Sequence, residues 1–167
     1  GARNYVTPEG AVRLQEELAQ LDRDERPRLA AAVSRLARET GPGADSGTDP
    51  QADPHGLERS RRRLREVERR IEYLNHMVAR MQVVEPEASF ATAGEGGRVQ
   101  FGVPVVVRLP GGERSELRIV GVDEADPPHG LISWISPLAR ALTGARVGQR
   151  VEVDLPEGRR ALEVLAI

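Results

Sequence analysis

Seven arginines crowd one stretch of the chain: Arg59, Arg61, Arg62, Arg63, Arg65, Arg69 and Arg70, with only Glu58, Glu66 and Glu68 among them. The planar guanidinium fork grips phosphate oxygens two at a time, so a helix face carrying it suits nucleic acid or an acidic protein. A solvated flank paired to acids of a neighbouring helix is the simpler account. Seven against three is too lopsided for pairing alone. A second cluster is Asp45, Asp49 and Asp53, one carboxylate every four residues. Carboxylates at an exposed tip can complete the shell of a hard cation such as Mg²⁺. Their spacing does not fit an EF-hand loop, and aspartate is common in turns for backbone reasons, so alone they read as turn residues.

Other chemistry is scarce. His55, His76 and His129 lie far apart, and no glycine-rich phosphate loop with lysine or nucleophile elbow is present. Gly94-Glu95-Gly96-Gly97 lacks the strand before it and the helix behind it that a phosphate loop needs. The chain has no cysteine, which removes disulfides and thiolate ligands together. These gaps point to a binding or accessory protein, not an enzyme. All 24 positive charges are arginine, and against 26 acids the net charge is -2, so any anion-binding site is local. No apolar run approaches a membrane span and no signal-peptide pattern opens the chain; the expected compartment is the cytoplasm.

The elements that position these residues follow from periodicity. Thr7-Pro8-Glu9 is a helix start, with a hydroxyl cap, proline at the first helical position and an acid at the positive dipole end. Leu14, Leu18, Leu21, Leu29, Val33 and Leu36 continue as one apolar stripe, with a kink or break expected near Arg26, before Pro27. Residues 41–56 hold four glycines, three prolines and three aspartates and form a loop. Helix resumes at Leu57, where Leu57, Leu64, Ile71 and Val78 interleave with Val67, Leu74 and Met81 as two seven-residue repeats. Two long helices joined by one loop predict an antiparallel hairpin over residues 1–84.

Residues 85–97 form a linker rich in Glu, Ala and Gly. From residue 98 the period becomes strand-like, through Val99, Phe101, Val103, Val105 and Val107. Returning strands follow near 117–122 and 131–135, a short helix over 138–143 capped by Ser136-Pro137, and a last hairpin over 150–167. The fold class is α+β: a helical hairpin, then a small antiparallel sheet domain with one short helix over 98–167.

Six strings, in order, carry a family resemblance: Tyr5-Val6-Thr7-Pro8-Glu9-Gly10; Arg26-Pro27; Arg63-Leu64-Arg65-Glu66-Val67-Glu68-Arg69-Arg70-Ile71; Phe101-Gly102; Arg118-Ile119-Val120-Gly121-Val122-Asp123-Glu124; and Ser136-Pro137-Leu138-Ala139-Arg140-Ala141-Leu142. Over nearly its whole length the chain resembles the bacterial Gre transcription factors, and the third string is closer to GreB than to GreA. The resemblance implies a coiled-coil hairpin, an FKBP-like C-terminal domain and RNA polymerase as partner. The globular domain would dock at the rim of the secondary channel, using Asp123, Glu124, Ser136, Pro137 and Leu138. The coiled coil would enter the channel as a monomer's rod, with Arg59, Arg62, Arg63 and Arg70 facing the nascent RNA 3′ end of backtracked complexes. No metal is expected on the free protein; Mg²⁺ of the polymerase would be shared at the tip.

The departure lies at that tip. The family's acidic motif, Gly-Asp-x-x-Glu-Asn-Ala-Glu/Asp-Tyr, is missing from residues 39–60, so Asp45, Asp49 and Asp53 replace it by chemistry only. Hydrolysis through shared metals tolerates little misplacement. The expectation is a Gre-like regulator of elongation with weak or absent cleavage stimulation, as in Gfh-type relatives. The alternatives are an active GreB-type cleavage factor, an FKBP-like prolyl isomerase and a free-standing nucleic-acid binder. The isomerase needs an aromatic-lined pocket, and residues 98–167 hold only Phe101 and Trp134.

Overall fold

A computed structural model of the chain describes residues 3–42, 55–86 and 97–167. Mixed helix and sheet divide into two compact units, one of Val12–Ala79 and one of Gly1–Ala11 with Arg80–Ile167. The division by contacts therefore places the first helical turn and residues 80–84 with the sheet, where the periodicity had grouped them with the helices.

In the helical unit, α1 (Pro8–Gln20) passes through a π-helical turn, Leu21–Glu25, into α2 (Arg26–Thr40). The expected break near Arg26 is thus a widened turn in unbroken helix. Pro27 has no N–H and its ring crowds the carbonyl four residues back. The π turn accommodates it, with Arg26 N–H donating to the Leu21 carbonyl five residues earlier. The returning helix α3 spans Gly56–Arg80 and buries Val67, Ile71 and Leu74. Leu14 and Leu21 are buried from the first helix, whereas Leu29, Val33 and Leu36 are only half-buried. Glu17 pairs with Arg70 and Glu25 with Arg63, so the two helical runs lie antiparallel. Met81, counted in the seven-residue pattern, instead opens a strand.

In the globular unit, β1 (Asn4–Val6) pairs in parallel with β2 (Met81–Val83), Tyr5 opposite Gln82. The main sheet contains β3 (Pro104–Arg108), β4 (Arg114–Val120), β5 (Leu131–Ser133), β6 (Arg150–Leu155) and β7 (Gly158–Ala166), in the order β5-β4-β3-β7-β6. Alternation decides each strand's faces: Val105 and Val107 are buried while Pro104 and Arg108 are exposed. Helix α4 (Pro137–Leu142) lays Ala139 and Leu142 into the core with Val151, Val153, Leu162 and Val164.

The sheet corrects the antiparallel expectation, because β5 runs parallel to β4. Two 3₁₀ turns, Val122–Glu124 and Pro127–His129, carry the chain across so that it re-enters in the same direction. Residues 98–103 also differ from the strand expected there. Gly102 turns the chain at φ +79°, and only an isolated bridge from Arg98 to Arg146 remains.

Leu74 is fully buried in the helical unit. Leu74→Ala is expected to lose about 2–5 kcal/mol of that unit's stability by cavity formation, read as an earlier loss of helical circular dichroism on heating. A loss below about 1 kcal/mol would mean that the seam collapses to fill the space.

Candidate functional site

The first turn of α1 is built around a carboxylate more than a hundred residues away. Thr7 Oγ1 accepts from Gly10 N–H at 3.1 Å, the local cap that Thr-Pro-Glu predicts. Thr7 N–H in turn donates to Glu124 Oε2 at 3.0 Å, and its hydroxyl donates to Glu124 Oε1. Gly121 N–H donates to the same Oε2 at 2.8 Å, closing a capping box on the 3₁₀ turn. Thr7 is 2% and Glu124 6% exposed. The two glycines are dictated by this carboxylate. A Cβ on Gly10 would overlap Glu124 Oε1, and one on Gly121 would lie 2.6 Å from the Tyr5 carbonyl oxygen. Glu9 adds a second tie, 3.5 Å from Arg118, whose Nε donates to the Gly102 carbonyl at 2.7 Å. The backbone N–H of Glu9 itself holds its carboxyl below the usual carboxylate range, with Arg118 adding to it.

Glu124, expected at the docking surface, has its carboxylate buried and committed to Thr7 and Gly121. Its four companions lie nearer the surface. Ser136 caps α4, its Oγ accepting from Ala139 N–H at 3.2 Å. Pro137 is exposed at the first helical position, Leu138 packs half-buried on the core, and Asp123 is half-buried. The parallel pairing of β4 and β5 puts Val120 opposite Ser133, so the chains beyond run side by side. Val122 at 40% and Ile135 at 44% exposure are apolar members of this stretch that sequence reading passed over. Single exposed valines and isoleucines leave no periodic signal.

The structure divides the arginine cluster in two. Arg70 makes a forked pair with Glu17, Nε–Oε1 2.7 Å and Nη2–Oε2 2.9 Å, and its guanidinium stacks 5.3 Å from the Tyr73 ring centre. Arg63 binds Glu25 at 2.6 Å and Glu66 at 3.5 Å. Both arginines tie α3 to other acids. Arg62, Arg65 and Arg69, spaced three and four apart, share the exposed face of α3 and make no ion pair among the described residues. Arg59 is exposed near the start of the helix. Arg65 and Arg69 belong to the seven-arginine cluster but not to the four that the family resemblance implies.

Asp45, Asp49 and Asp53 lie outside the described residues. Among the described residues, no group of three or more His, Cys, Asp or Glu is placed to hold a metal ion, and no helix is long and apolar enough to cross a membrane.

Sequence relatives match the chain along nearly its whole length, through both units. Residues 94–167 fit the family model described as transcription elongation factor GreA/GreB, C-terminal. Transcription elongation factor GreB of Neisseria meningitidis serogroup B is 37% identical over 165 residues, covering 99% of this chain and 93% of that one. Transcription elongation factor GreA of Syntrophobacter fumaroxidans is 36% identical over 163 residues, covering 97% and 96%. A crystal structure of GreA factor homolog 1 (Gfh1) of Thermus thermophilus shares 27% identity over 99% of this chain and 98% of that one, at a TM-score of 0.41. On the sequence relatives, which span both units, the chain belongs to the GreA/GreB family.

Two outcomes test this geometry. Glu124→Gln leaves one of three N–H and O–H donors without its acceptor, and Gly10→Ala forces the carboxylate away. Each is expected to cost about 1–3 kcal/mol in the globular unit, measured by urea unfolding followed at Trp134. The forked bond from Arg70 holds the Glu17 carboxyl below its ordinary range, against the opposing effect of burial. A lowered carboxylate stabilises above its unfolded value of about 4.3 and loses that contribution as pH falls through the folded value. Acid melting of the helical unit is therefore expected to steepen below about pH 4, and Glu17→Gln to flatten it.

Proposed function

We propose that this chain is a transcription elongation factor that binds bacterial RNA polymerase and modulates elongation through the secondary channel, with weak or absent stimulation of transcript cleavage. The observation that carries the reading is the match to factors named GreB and GreA along nearly the whole chain, through both units. In this reading the antiparallel helices act as a coiled-coil rod and the sheet unit as an FKBP-like docking module, and the protein is an accessory to the polymerase's own chemistry. Asp123, Ser136 and Pro137, with Val122 and Ile135, form the docking surface. Arg62 with Arg65 and Arg69 forms the RNA-facing basic stripe, Arg59 extends it, and Arg63 and Arg70 support it through their pairs with Glu25 and Glu17. The tip carries Asp45, Asp49 and Asp53 in place of the family's glutamate motif, which supports regulation over cleavage. An active GreB-type cleavage factor is the rival reading, favoured by the 37% identity to GreB.

The test is a stalled, backtracked elongation complex with a labelled RNA 3′ end in Mg²⁺. Retention on core polymerase with slowed elongation and no release of short 3′ fragments is the expected result. Fragment release abolished by Asp45→Ala or Asp49→Ala would establish the GreB-type rival. Joint replacement of Arg62, Arg65 and Arg69 by alanine is expected to weaken binding to backtracked complexes more than to bare polymerase. Equal loss on both would assign the stripe to general docking.

A further inference from the structure

The outer face of the main sheet carries its charges in cross-strand rows. Near the turn of the β6–β7 hairpin, Arg159 lies 2.9 Å from Asp154 and 3.5 Å from Glu152, one cation between two acids. Another row crosses four strands. Arg150 of β6 is opposite Glu163 of β7, Glu163 is opposite Arg108 of β3, and Arg108 is opposite Arg114 of β4. Here the balance reverses, with three arginines to one acid. Glu163 reaches Arg108 at 3.4 Å, and both side chains stay nearly half exposed. Arg114 and Arg150 are exposed and make no ion pair among the described residues. Like charges directly opposite on neighbouring strands destabilise a sheet, so Arg108 beside Arg114 is a cost that an incoming anion removes.

The row has a defined length and shape. Neighbouring strands lie about 4.8 Å apart, so from Arg150 to Arg114 it spans about 14 Å. Between Arg150 and Arg108 the surface dips into a hollow of about 390 Å³, walled by Leu109, Pro110 and Ala161 as well as by Glu163. The carboxylate is interior to the row, and the surplus guanidiniums stand towards its ends. The matching ligand is acidic at both ends and apolar in the middle, where a third acid would meet Glu163. Base stacking has no platform here, since none of β3, β4, β6 and β7 contains an aromatic residue.

We infer that this row is a docking face for an extended acidic segment of a partner protein, of the pattern acid-x-apolar-x-acid. In an extended chain alternate side chains point the same way, and positions four apart are separated by about 13 Å, close to the length of the row. One carboxylate pairs with Arg150 and the other with Arg108 and Arg114, through the planar fork that meets a carboxylate at both oxygens. The apolar residue between them enters the hollow against Leu109, Pro110 and Ala161. The row shares no residue with the α3 stripe or with the surface around Ser136. The inference does not rest on the elongation-factor reading.

The probe is a blocked, dye-labelled peptide with Glu-Ser-Leu-Ser-Glu at its centre. It is titrated into the full chain at low ionic strength, without polymerase, and followed by anisotropy. Binding is expected to saturate, and to weaken about tenfold when both glutamates are glutamine. Arg150→Gln and Arg114→Gln are each expected to weaken it about threefold, and Glu163→Gln, which removes the opposing charge, to tighten it by a similar factor. Joint replacement of Arg62, Arg65 and Arg69 by alanine is expected to leave peptide binding unchanged. Loss of binding in that triple variant, no saturation at millimolar peptide, or equal binding of the isomer Ser-Glu-Leu-Glu-Ser would overturn the inference. So would displacement of the peptide by a mixed-sequence oligonucleotide at equal charge, which would assign the row to nucleic acid. Dimer formation in sedimentation that Arg150→Gln abolishes would overturn it too, since the row would then belong to a second copy. Polymerase is absent from every arm, so failure here leaves the proposed function standing.

Discussion

One buried carboxylate organises the globular unit. The Glu124 carboxyl makes no ion pair among the described residues, and it is held instead by the N–H groups of Thr7 and Gly121 and by the Thr7 hydroxyl. Removing such a group from water is costly unless every lone pair facing the interior is used. That requirement fixes the residue types around it: threonine at 7, because it must donate to the carboxylate and accept from Gly10, and glycine at 10 and 121, because no Cβ fits. The same contacts hold the end of β1 against the 3₁₀ turn after β4. Tyr5 is thereby set against Trp134, and Glu9 near Arg118. Helix start, strand and aromatic cluster all lean on one side chain.

Local patterns were legible in the sequence wherever a residue and its partners lie within a few positions. The cap at Thr7, the Ser136-Pro137 start of α4 and the alternation of Val105 and Val107 are written in adjacent letters. What was not legible depends on distant partners. Val122–Glu124 reads as a surface acidic pair, and nothing in its spacing says that Glu124 turns inward to meet Thr7. The parallel entry of β5 is likewise invisible, since alternation is the same for either direction. Val6 and Val83 look like the fringe of two helices and are the partners of a small sheet.

The candidate site shows the same division. The arginine cluster was plain as composition, and the family strings are what pointed to a docking surface and a tip. Which guanidiniums are free to meet a partner was not plain, because that depends on which acids the opposite helix presents. Glu17 and Glu25 engage Arg70 and Arg63 in ion pairs, whereas Arg65 and Arg69 lie beside Arg62 on the exposed face. The arginine row across the sheet escaped the sequence for a related reason: its members are residues 108, 114, 150 and 163, which no window brings together.

The π turn has a consequence for the pairing of the helices. From Glu17 to Glu25 the first helix advances eight residues, while from Arg70 to Arg63 its partner retreats seven. Two regular helices would drift out of step over that interval, and the second ion pair would face away from the first. A turn that consumes one extra residue absorbs the difference. It works as a vernier between two scales of unequal count, and it accounts for the eight-residue step from Leu21 to Leu29 in an otherwise regular apolar stripe. Length differences in this stretch can thus be taken up inside the helix, without a loop and without loss of register at either end.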